Sequence, residues 1–526
     1  MKRRDFIQYT GSSLLLPFLL DGFGAKAHTQ ATTPFMQEML KVADVNERIL
    51  VVIQLAGGND GLNMVLPLDQ YSTYTASNFR GSIAIPEAKV LSLNGYQATG
   101  LHPSMKGLQT LFNEGKLSII QAAGYDNPSF SHFRASDIWF TATNANQFST
   151  SGWLGRYIEG KYPNFVDDYP NTANPDPLAV QIASISSTVF NTSSVSSALA
   201  IQDPDTFYKI IGDKPSVIPG SLPNTPAGKY TAFVRQKQIS SVAYASSLKI
   251  AAEKGKNLIS YPTSNTLADQ LKIVARMIHG GLQTKIYFVS LGGFDTHASQ
   301  VVASDTTTGT HATLMGRLSD GIKAFMDDLK AQGTQDKVAG MTFSEFGRRA
   351  AANGSYGTDH GWASPLLIFG NGVKQQMIGK NPDLKALQSG NITMQNDFRK
   401  VYAAVLQDWM GASESSVKNV LLGVDPAPLP IFRAPAILAN EEEIGHYELN
   451  IYPNPAQSET FLDSEAFAKN MELVVTDVYG RSFYTHPERL SRTKIRLNVD
   501  NMPMGKYFVK VETDKEPIVK ALMVQR

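Results

Sequence analysis

Apolar residues follow two different periods along residues 28–424. Several short runs are almost continuously apolar and rich in Val and Ile, which is typical of strands buried on both faces. The clearest runs are Arg48–Leu55, Leu117–Ala123, Lys285–Leu291, Val338–Phe343 and Pro365–Phe369. Between them, stretches such as Pro103–Glu114 and Thr313–Lys330 place apolar residues at helical spacing. This alternation predicts an α/β fold, a doubly wound and mostly parallel sheet with helices on both faces.

Two parts of the chain depart from this alternation. Residues 143–225 are rich in Asn, Ser, Thr and Pro, with a strand predicted at Leu178–Ala183, and we interpret them as an insertion or lid over the strand ends. Near Asp425 the chain becomes rich in proline and then acidic, which predicts a linker over 425–445. From 446 to 526 short alternating strands and tight turns predict a small β-sandwich.

The first 27 residues have the layout of an export signal. A basic start is followed by an apolar stretch and by Ala25-Lys26-Ala27, so we expect cleavage near Ala27. Arg3 and Arg4, followed by Asp5 and Phe6, resemble a twin-arginine signal, and an ordinary Sec signal is the alternative. No later stretch is long and apolar enough to predict a transmembrane segment.

Composition narrows the chemistry that the chain can carry out. The 526 residues include no cysteine, which excludes disulfides, thiolate metal sites and cysteine nucleophiles. The formal net charge is +1, so nothing in the charge favours nucleic acid as a partner.

Acids and histidines recur where predicted strands end. Asp60 follows the first strand, Asp295 and His297 follow Lys285–Leu291, and Glu345 follows Val338–Phe343. His360 comes with Asp359 just before another strand. Ligands of open α/β sheets collect outside the carboxyl ends of the strands, and these side chains are good ligands for divalent cations. We therefore predict one metal site assembled from distant segments.

Each candidate also has a simpler interpretation. Asp60 could be an ordinary turn residue, Glu345 could pair with Arg348 or Arg349, and His311 could be a surface residue or a further ligand. Ser131 and its competitor Ser129 precede a predicted helix, where a serine is usually an N-cap but where an anion can also bind.

The sequence motifs, taken in order along the chain, resemble those of two known families. The motifs GGNDGLN, SHF, FDTH, SEFGRR and TDHGW make residues from about 48 to 410 resemble the DUF1501 family, which is similar to the alkaline phosphatase and sulfatase superfamily. YPNP, DVYG and MGKYF make the C-terminal part resemble the sorting domain of the type IX secretion system of Bacteroidetes. The resemblances imply four parts: a signal peptide (1–27), an alkaline-phosphatase-like domain (28–424), a linker (425–445) and a sorting domain (446–526).

The superfamily resemblance implies roles for the scattered residues. Asp295 and His360, with His297 or His311, would hold one metal, and Asp60 with Glu345 would hold a second. Ser131 would be the nucleophile, and Arg134 or Arg348 would bind the remaining anionic oxygens. Phe346 follows Glu345 where the superfamily commonly has a histidine, so one imidazole ligand is missing.

These resemblances imply a secreted or cell-surface hydrolase of phosphate or sulfate esters. It would use one or two divalent ions (Zn, Mn, Mg or Ca) and act on a small-molecule or glycan ester. Its partner would be the secretion machinery, engaged through the C-terminal domain. The alternative is a non-catalytic cell-surface or glycan-binding protein that retains the hydrolase fold.

Overall fold

A computed structural model describes residues 47–433 and 449–525 with several gaps. The gaps are 163–164, 166–168, 194, 465–466, 468–472, 478–480, 484–486, 512–517 and most of 212–243, where only residues 225, 228, 231 and 242 are described. The predicted signal peptide, residues 434–445 of the predicted linker and the first three residues of the predicted sorting domain, 446–448, lie outside the described residues. The chain divides into two compact units, Met1–Pro435 and Ala436–Arg526.

The first unit alternates strands and helices. Its strands are β1 (Ile49–Ala56), β2 (Val65–Pro67), β3 (Leu91–Leu93), β4 (Tyr96–Leu101), β5 (Leu117–Gly124), β6 (Ala179–Ile182), β7 (Ala198–Ile201), β8 (Ile286–Gly292), β9 (Val338–Phe343), β10 (Ser364–Gly370), β11 (Gln376–Ile378) and β12 (Asn396–Asp397). Its α-helices are α1 (Gly61–Met64), α2 (Tyr71–Tyr74), α3 (Lys106–Asn113), α4 (His132–Thr141), α5 (Trp153–Lys161), α6 (Pro204–Ile211), α7 (Thr266–His279), α8 (Thr310–Ala331), α9 (Phe398–Ala404) and α10 (Glu414–Val420). A π-helical turn, Val405–Trp409, continues α9.

One large sheet organises this unit. Its strands are ordered β11-β5-β10-β9-β1-β8-β6-β7, and β12 pairs with β5 at the same edge. All pairs along this path are parallel except those of β10, which runs antiparallel to both β5 and β9. The α/β fold class with a mostly parallel sheet, predicted from the alternating pattern, is confirmed.

Strand β1 is apolar along its length because it lies between two hydrophobic layers. Its residues Ile49, Val51, Ile53 and Leu55 pack into a core with α3, α7 and α8. The alternate residues Leu50 and Val52 pack into a second core with α4, α5 and α9. Successive side chains of a strand point to opposite faces, so a strand covered by helices on both sides loses the polar alternation of a half-exposed strand.

The prediction that residues 143–225 form an insertion or lid is wrong for its described part. Strand β6 pairs parallel with β8, and β7 pairs parallel with β6, so both strands extend the central sheet. Strand β6 agrees with the strand predicted at Leu178–Ala183, whereas β7 has only four residues and lies in a polar segment that hides its strand signal. The sheet therefore continues two strands beyond the strand that carries the FDTH motif.

The second unit is a small β-sandwich. Its strands are β13 (Asn450–Tyr452), β14 (Glu459–Asp463), β15 (Leu473–Asp477), β16 (Ser482–Phe483), β17 (Glu488–Arg489), β18 (Lys494–Asn498), β19 (Gly505–Val511) and β20 (Ile518–Val524). They form two antiparallel sheets, β13-β14-β18-β17 and β16-β15-β19-β20. Leu462 and Leu497 of one sheet share a buried core with Val509 and Leu522 of the other, as the predicted sandwich requires.

Candidate metal centre

The site lies at the carboxyl ends of the parallel strands of the large sheet. Strands β9, β1 and β8 are adjacent and parallel, so the loops that follow them emerge side by side. Strand β5 runs in the same direction, whereas β10 runs in the opposite direction and therefore begins at this edge. Segments far apart in sequence thus meet where the sequence pattern predicted a site.

Glycine at position 57 allows the loops after β1 and β8 to touch. Gly57 has φ +126°, and a Cβ there would lie 2.4 Å from the backbone nitrogen of Asp295. The Gly57 N–H also donates to Glu345 Oε1 at 2.9 Å. This close approach sets Asp295 and Glu345 on neighbouring sides of the site.

Three histidines surround the carboxylate of Asp295. The Nε2 atoms of His297 and His360 lie 3.2 and 3.3 Å from Asp295 Oδ1. The Nε2 atom of His132 lies 3.6 Å from Asp295 Oδ2. One ligand atom each from His132, Asp295 and His360 lie within 4.8 Å of one another. The side chain of Asp295 is 49% exposed, so the cluster opens to solvent.

The other ring nitrogens of these histidines face hydrogen-bond acceptors. His360 Nδ1 lies 2.8 Å from the carbonyl oxygen of Phe130, which can only accept, so this nitrogen carries the proton. His132 Nδ1 lies 2.8 Å from Glu345 Oε1, and Glu345 is only 3% exposed. Donation from Nδ1 to a carboxylate or a carbonyl leaves the Nε2 lone pair for a metal, and metal-binding histidines commonly show this arrangement.

His297 completes the pattern and brings two lone pairs together. Its Nδ1 lies 3.4 Å from Asp359 Oδ1. Its Nε2 lies 2.9 Å from His360 Nε2. With both Nδ1 atoms protonated, two unprotonated nitrogens would face each other at hydrogen-bond distance, which is repulsive unless a cation lies between or beside them. The geometry therefore suits either a proton or a metal ion.

Arg348 contacts this cluster from the buried side. Its side chain is fully buried and donates to Asp295 Oδ1 at 2.6 Å. It also donates to backbone carbonyls of the three surrounding loops: Gly57, Gly58, Phe294 and Thr358. Burial raises the pKa of Asp295, but the hydrogen bonds from Arg348 and His360, together with the charges of Arg348 and His297, hold that pKa below its ordinary value. With its donors thus occupied, Arg348 orients Asp295 and joins the loops.

Phe346 lies where the superfamily resemblance would place a histidine. Its buried ring lies 4.9 Å from the ring of His132 and 4.6 Å from that of His360. Glu345, the expected ligand of a second metal, supports His132 instead. Phe346 therefore packs against the histidine rings, and Glu345 holds His132 by a hydrogen bond. These two residues do not form a second set of metal ligands.

Asp60 does not join the cluster. It is buried and accepts hydrogen bonds from both terminal nitrogens of Arg80, at 2.8 and 2.7 Å. It also accepts one from the side-chain amide of Gln300. Burial raises the pKa of Asp60, but the adjacent Arg80 guanidinium keeps it below its ordinary value. This ion pair uses the carboxylate oxygens that a metal would need.

His311 is also remote in function from the cluster. It lies buried in the first turn of α8, and its Nε2 is 3.2 Å from the Asn59 side-chain oxygen. Burial lowers its pKa to about 4, so it is neutral at neutral pH. His311 therefore contacts the loop after β1 through Asn59 and is not one of the clustered histidines.

Ser131 lies immediately beside the cluster. It is the exposed N-cap of α4, and its hydroxyl accepts a long 3.5 Å hydrogen bond from the Arg134 N–H. Both chain neighbours of Ser131 take part in the site, since Phe130 holds His360 and His132 faces Asp295. Ser129, the other candidate nucleophile, lies two residues before this N-cap, and its hydroxyl accepts a hydrogen bond from the Ser131 N–H at 3.2 Å.

Arg134 is committed to the helix and the loop that follows it. It pairs with Asp137 and donates to the carbonyl oxygen of Ala145 at 3.0 Å. Its guanidinium lies 3.9 Å from the ring centroid of Phe148. Like Arg348, it binds structural partners through its terminal nitrogens.

The ligand position of His132 and the pairing of Arg80 with Asp60 were missed from sequence. His132 follows Ser131 in the SHF motif, and its place after a buried strand at the same sheet edge was the signal that could have identified it. Arg80 has no comparable signal because it lies in a turn-rich stretch between short elements.

Family comparison identifies both parts of the chain. Residues 232–421 match the family model described as protein of unknown function (DUF1501), and they include the FDTH, SEFGRR and TDHGW motifs. Residues 450–525 match the secretion system C-terminal sorting domain. The chain carries a DUF1501 segment and a sorting segment. Both resemblances are confirmed, although GGNDGLN and SHF precede the matched part of DUF1501.

Several solved structures resemble the chain at low identity. The PsFucS1 sulfatase from Pseudoalteromonas sp. shows 11% identity and a TM-score of 0.32, with 91% of this chain and 88% of that chain covered. The lipoteichoic acid synthase LtaP from Listeria monocytogenes shows 9% identity and a TM-score of 0.31, with coverages of 85% and 92%. An alkaline phosphatase superfamily protein from Vibrio parahaemolyticus shows 12% identity and a TM-score of 0.27, with coverages of 85% and 81%.

These likenesses carry no argument about substrate at such TM-scores. No curated protein matches the chain. Among the residues that the structure describes, no helix has the length and apolar character needed to cross a bilayer. The function proposed for this protein therefore rests on the chemistry of its own site.

Proposed function

We propose that this protein is a secreted, metal-dependent hydrolase of phosphate or sulfate esters. The observation that carries the proposal is the convergence of three histidine Nε2 atoms on Asp295, with each Nδ1 turned toward an acceptor. We assign His132, His297, His360 and Asp295 as the residues that would hold a divalent ion.

The donor set favours one kind of ion. Three neutral imidazoles and one carboxylate suit Zn²⁺ or Mn²⁺ better than Mg²⁺ or Ca²⁺, which prefer oxygen ligands. Asp60 and Glu345 are taken by Arg80 and His132, so we propose one ion rather than two. When bound, the ion would act as a Lewis acid and neutralise charge on the ester oxygens.

The chain itself would supply the nucleophile and an anion-binding helix end. Ser131 is exposed, lies next to His132 and begins a ten-residue helix. The first N–H groups of a helix favour an anion, so an ester group placed there would lie against the Ser131 hydroxyl. Attack by Ser131 Oγ would form a covalent ester and release the alcohol, and water would then free the enzyme.

The route out of the cell belongs to the same proposal. The sorting segment supports export through a secretion system and delivery outside the cell or to its surface. The twin-arginine or Sec signal at residues 1–27 stays a prediction, as does the four-part domain division. A small-molecule or glycan ester stays the proposed substrate class.

Metal content tests the centre directly. We expect about one equivalent of Zn or Mn in the full chain purified without chelator. Asp295→Asn, His132→Gln and His360→Gln should lose it, whereas His279→Gln, at the half-buried last residue of α7, should keep it. A wild-type protein that takes up no divalent ion after reconstitution would overturn the centre.

A second variant tests the serine. Ser131→Ala should retain the ion but lose hydrolysis of 4-nitrophenyl phosphate and 4-nitrophenyl sulfate by roughly a thousandfold, as expected when a nucleophile is removed. Unchanged hydrolysis in Ser131→Ala would exclude the covalent mechanism. A loaded ion without hydrolysis of any ester would favour the non-catalytic binding protein.

A further inference from the structure

Gln300 carries a side-chain amide that lies entirely inside the protein. It has no exposed surface, and its Nε2 donates to Asp60 Oδ2. Its Oε1 accepts hydrogen bonds from the hydroxyl groups of Thr296 at 3.0 Å and Thr358 at 2.9 Å. The ionised carboxylate of Asp60 can only accept, so the amide nitrogen faces it and the amide oxygen faces the two threonines. Gln300 therefore joins the segments that follow β1 and β8 to the segment that precedes β10.

The two threonines belong to the segments that carry two of the clustered histidines. Thr296 directly precedes His297, and Thr358 lies two residues before His360. Both threonines are buried, with exposures of 3% and 0%. The Thr358 N–H also donates to the Thr296 carbonyl oxygen at 3.1 Å, so the two segments run side by side. The Gln300 amide thus crosslinks the chain within two residues of each histidine.

A buried ion pair holds the other end of the Gln300 amide. Asp60 accepts hydrogen bonds from both terminal nitrogens of Arg80, whose side chain has no exposed surface. The Arg80 Nε also donates to the carbonyl oxygen of Ala350. Removing either partner would leave a buried charge uncompensated, so the fold keeps this pair in place. Asp60, which does not join the cluster, therefore gives Gln300 a fixed point of attachment.

His297 and His360 need such support because their side chains are only partly enclosed. The side chain of His297 is 46% exposed and that of His360 is 21% exposed, yet their Nε2 atoms lie 2.9 Å apart. Packing positions a partly exposed side chain weakly, so the spacing of the two backbone segments sets the spacing of the Nε2 atoms. Metal sites require ligand distances correct to about 0.2 Å, and a displacement of about 1 Å makes a site too loose.

We propose that Gln300 is a positioning residue of the metal centre, whose amide sets the spacing between the segments that carry His297 and His360. This inference rests on the proposed metal-dependent function and explains how two ligands from distant segments are kept together. Gln300 acts through Thr296 and Thr358, without contact to the ion or to the substrate.

Removal of the threonine hydroxyls tests this role. Thr296→Val and Thr358→Val each remove one hydrogen bond to Gln300 at nearly unchanged volume, whereas Thr296→Ser and Thr358→Ser keep it. In the full chain, we expect the Kd for Zn²⁺, measured by competition with a chelating dye, to rise about tenfold in the Val variants. It should stay within about threefold of the wild-type Kd in the Ser variants.

Thr284→Val is the matched control. Thr284 is also fully buried, and its hydroxyl donates to the Pro177 carbonyl oxygen at 2.6 Å, but it lies before β8, at the opposite end of this strand from the centre. This variant should lose comparable stability and keep the wild-type Kd. The visible spectrum of the Co²⁺-loaded protein, which reports coordination geometry, should change in the Val variants at 296 and 358 and not in the control. Ser variants as weak as the Val variants, or an equal loss of affinity in Thr284→Val, would overturn the proposal.

Hydrogen exchange separates this proposal from the proposed function. In the metal-free full chain, amides of residues 293–300 and 353–361 should exchange about fivefold faster in Thr296→Val and Thr358→Val than in the wild type, with no such change in Thr284→Val. Unchanged exchange would overturn the link between the two segments. If the wild type takes up no metal, the proposed function fails, and the exchange rates still decide whether Gln300 joins the segments.

Discussion

At the scale of single residues, the site depends on buried charges that hold exposed ligands. Arg348 has no exposed surface, yet it contacts the half-exposed Asp295 and carbonyl groups of three loops. Its planar fork satisfies acceptors in several directions, which a lysine ammonium cannot reproduce. The open ligand cluster is therefore supported by a closed polar layer beneath it.

We expect Arg348→Lys to lower the free energy of unfolding by about 2–4 kcal/mol, because several buried carbonyls lose their donor. Urea unfolding measures this change. Arg349→Lys is the matched control, since Arg349 is exposed and should change stability by less than about 0.5 kcal/mol. Equal stability of the two variants would mean that the Arg348 contacts contribute little.

His311 gives stability a predictable dependence on pH. Burial lowers its pKa from 6.5 to about 4, so the unfolded chain takes up a proton in this interval and the folded chain does not. The free energy of unfolding should therefore fall as pH decreases from 6.5 to 4, by up to about 3 kcal/mol from this group. Denaturant unfolding at several pH values should show a weaker fall in His311→Gln. His279→Gln should follow the wild type, and a His311→Gln profile parallel to the wild type would contradict the prediction.

At the scale of elements, strand pairing places side chains that have to share space. Gly340 of β9 lies opposite Phe369 of the antiparallel β10, and a Cβ at Gly340 would lie 2.0 Å from the Phe369 ring. The ring thus lies over the glycine, and the pair locks the register between the one antiparallel strand and its neighbour. This register also fixes where β10 begins and, with it, the loop that carries His360.

Gly340→Ala should destabilise the protein by about 1–3 kcal/mol through overpacking against the ring. Combining it with Phe369→Leu should cost less than the sum of the single changes, by at least about 1 kcal/mol, because the two residues are in contact. Gly160→Ala is the control glycine, since its Cβ would meet nothing within 4 Å. Urea unfolding of the four variants measures the coupling, and strict additivity would disprove the contact.

At the scale of the whole molecule, two units have separate cores. The buried residues of the C-terminal sandwich form a cluster of their own. In the first unit, two further clusters pack on the two faces of the large sheet. A unit with its own core can fold alone. The candidate centre lies in the first unit, and the sorting segment forms the second.

We expect truncation after Pro435 to leave the unfolding midpoint and metal content of the first unit unchanged. In a host with the matching secretion system, the truncated chain should stay inside the cell envelope while the full chain is exported. Fractionation and unfolding curves measure both outcomes. Loss of metal or stability on truncation would show that the units depend on each other.

Much of the architecture followed from the chain's own pattern. Continuous apolar runs predicted the buried strands within one or two residues, because a strand covered on both faces has no polar alternation. The same reasoning placed Asp295, His297 and His360 at one sheet edge, where the structure brings them together. The strand predicted at Leu178–Ala183 is β6, whereas the short strand β7 escaped this reasoning because its four residues carry too little periodicity.

The roles of the acids were decided by tertiary contacts. Asp60 and Glu345 follow parallel strands as Asp295 does, so sequence treats the three alike. Only in the folded chain does Asp60 form an ion pair with Arg80 and Glu345 contact His132 Nδ1. Asp295 stays half-exposed among the histidines. Sequence by itself determined which side chains reach the edge of the sheet, since strand period and direction set that. Which of them keep free lone pairs depends on partners brought from distant segments, and only three-dimensional packing selects those partners.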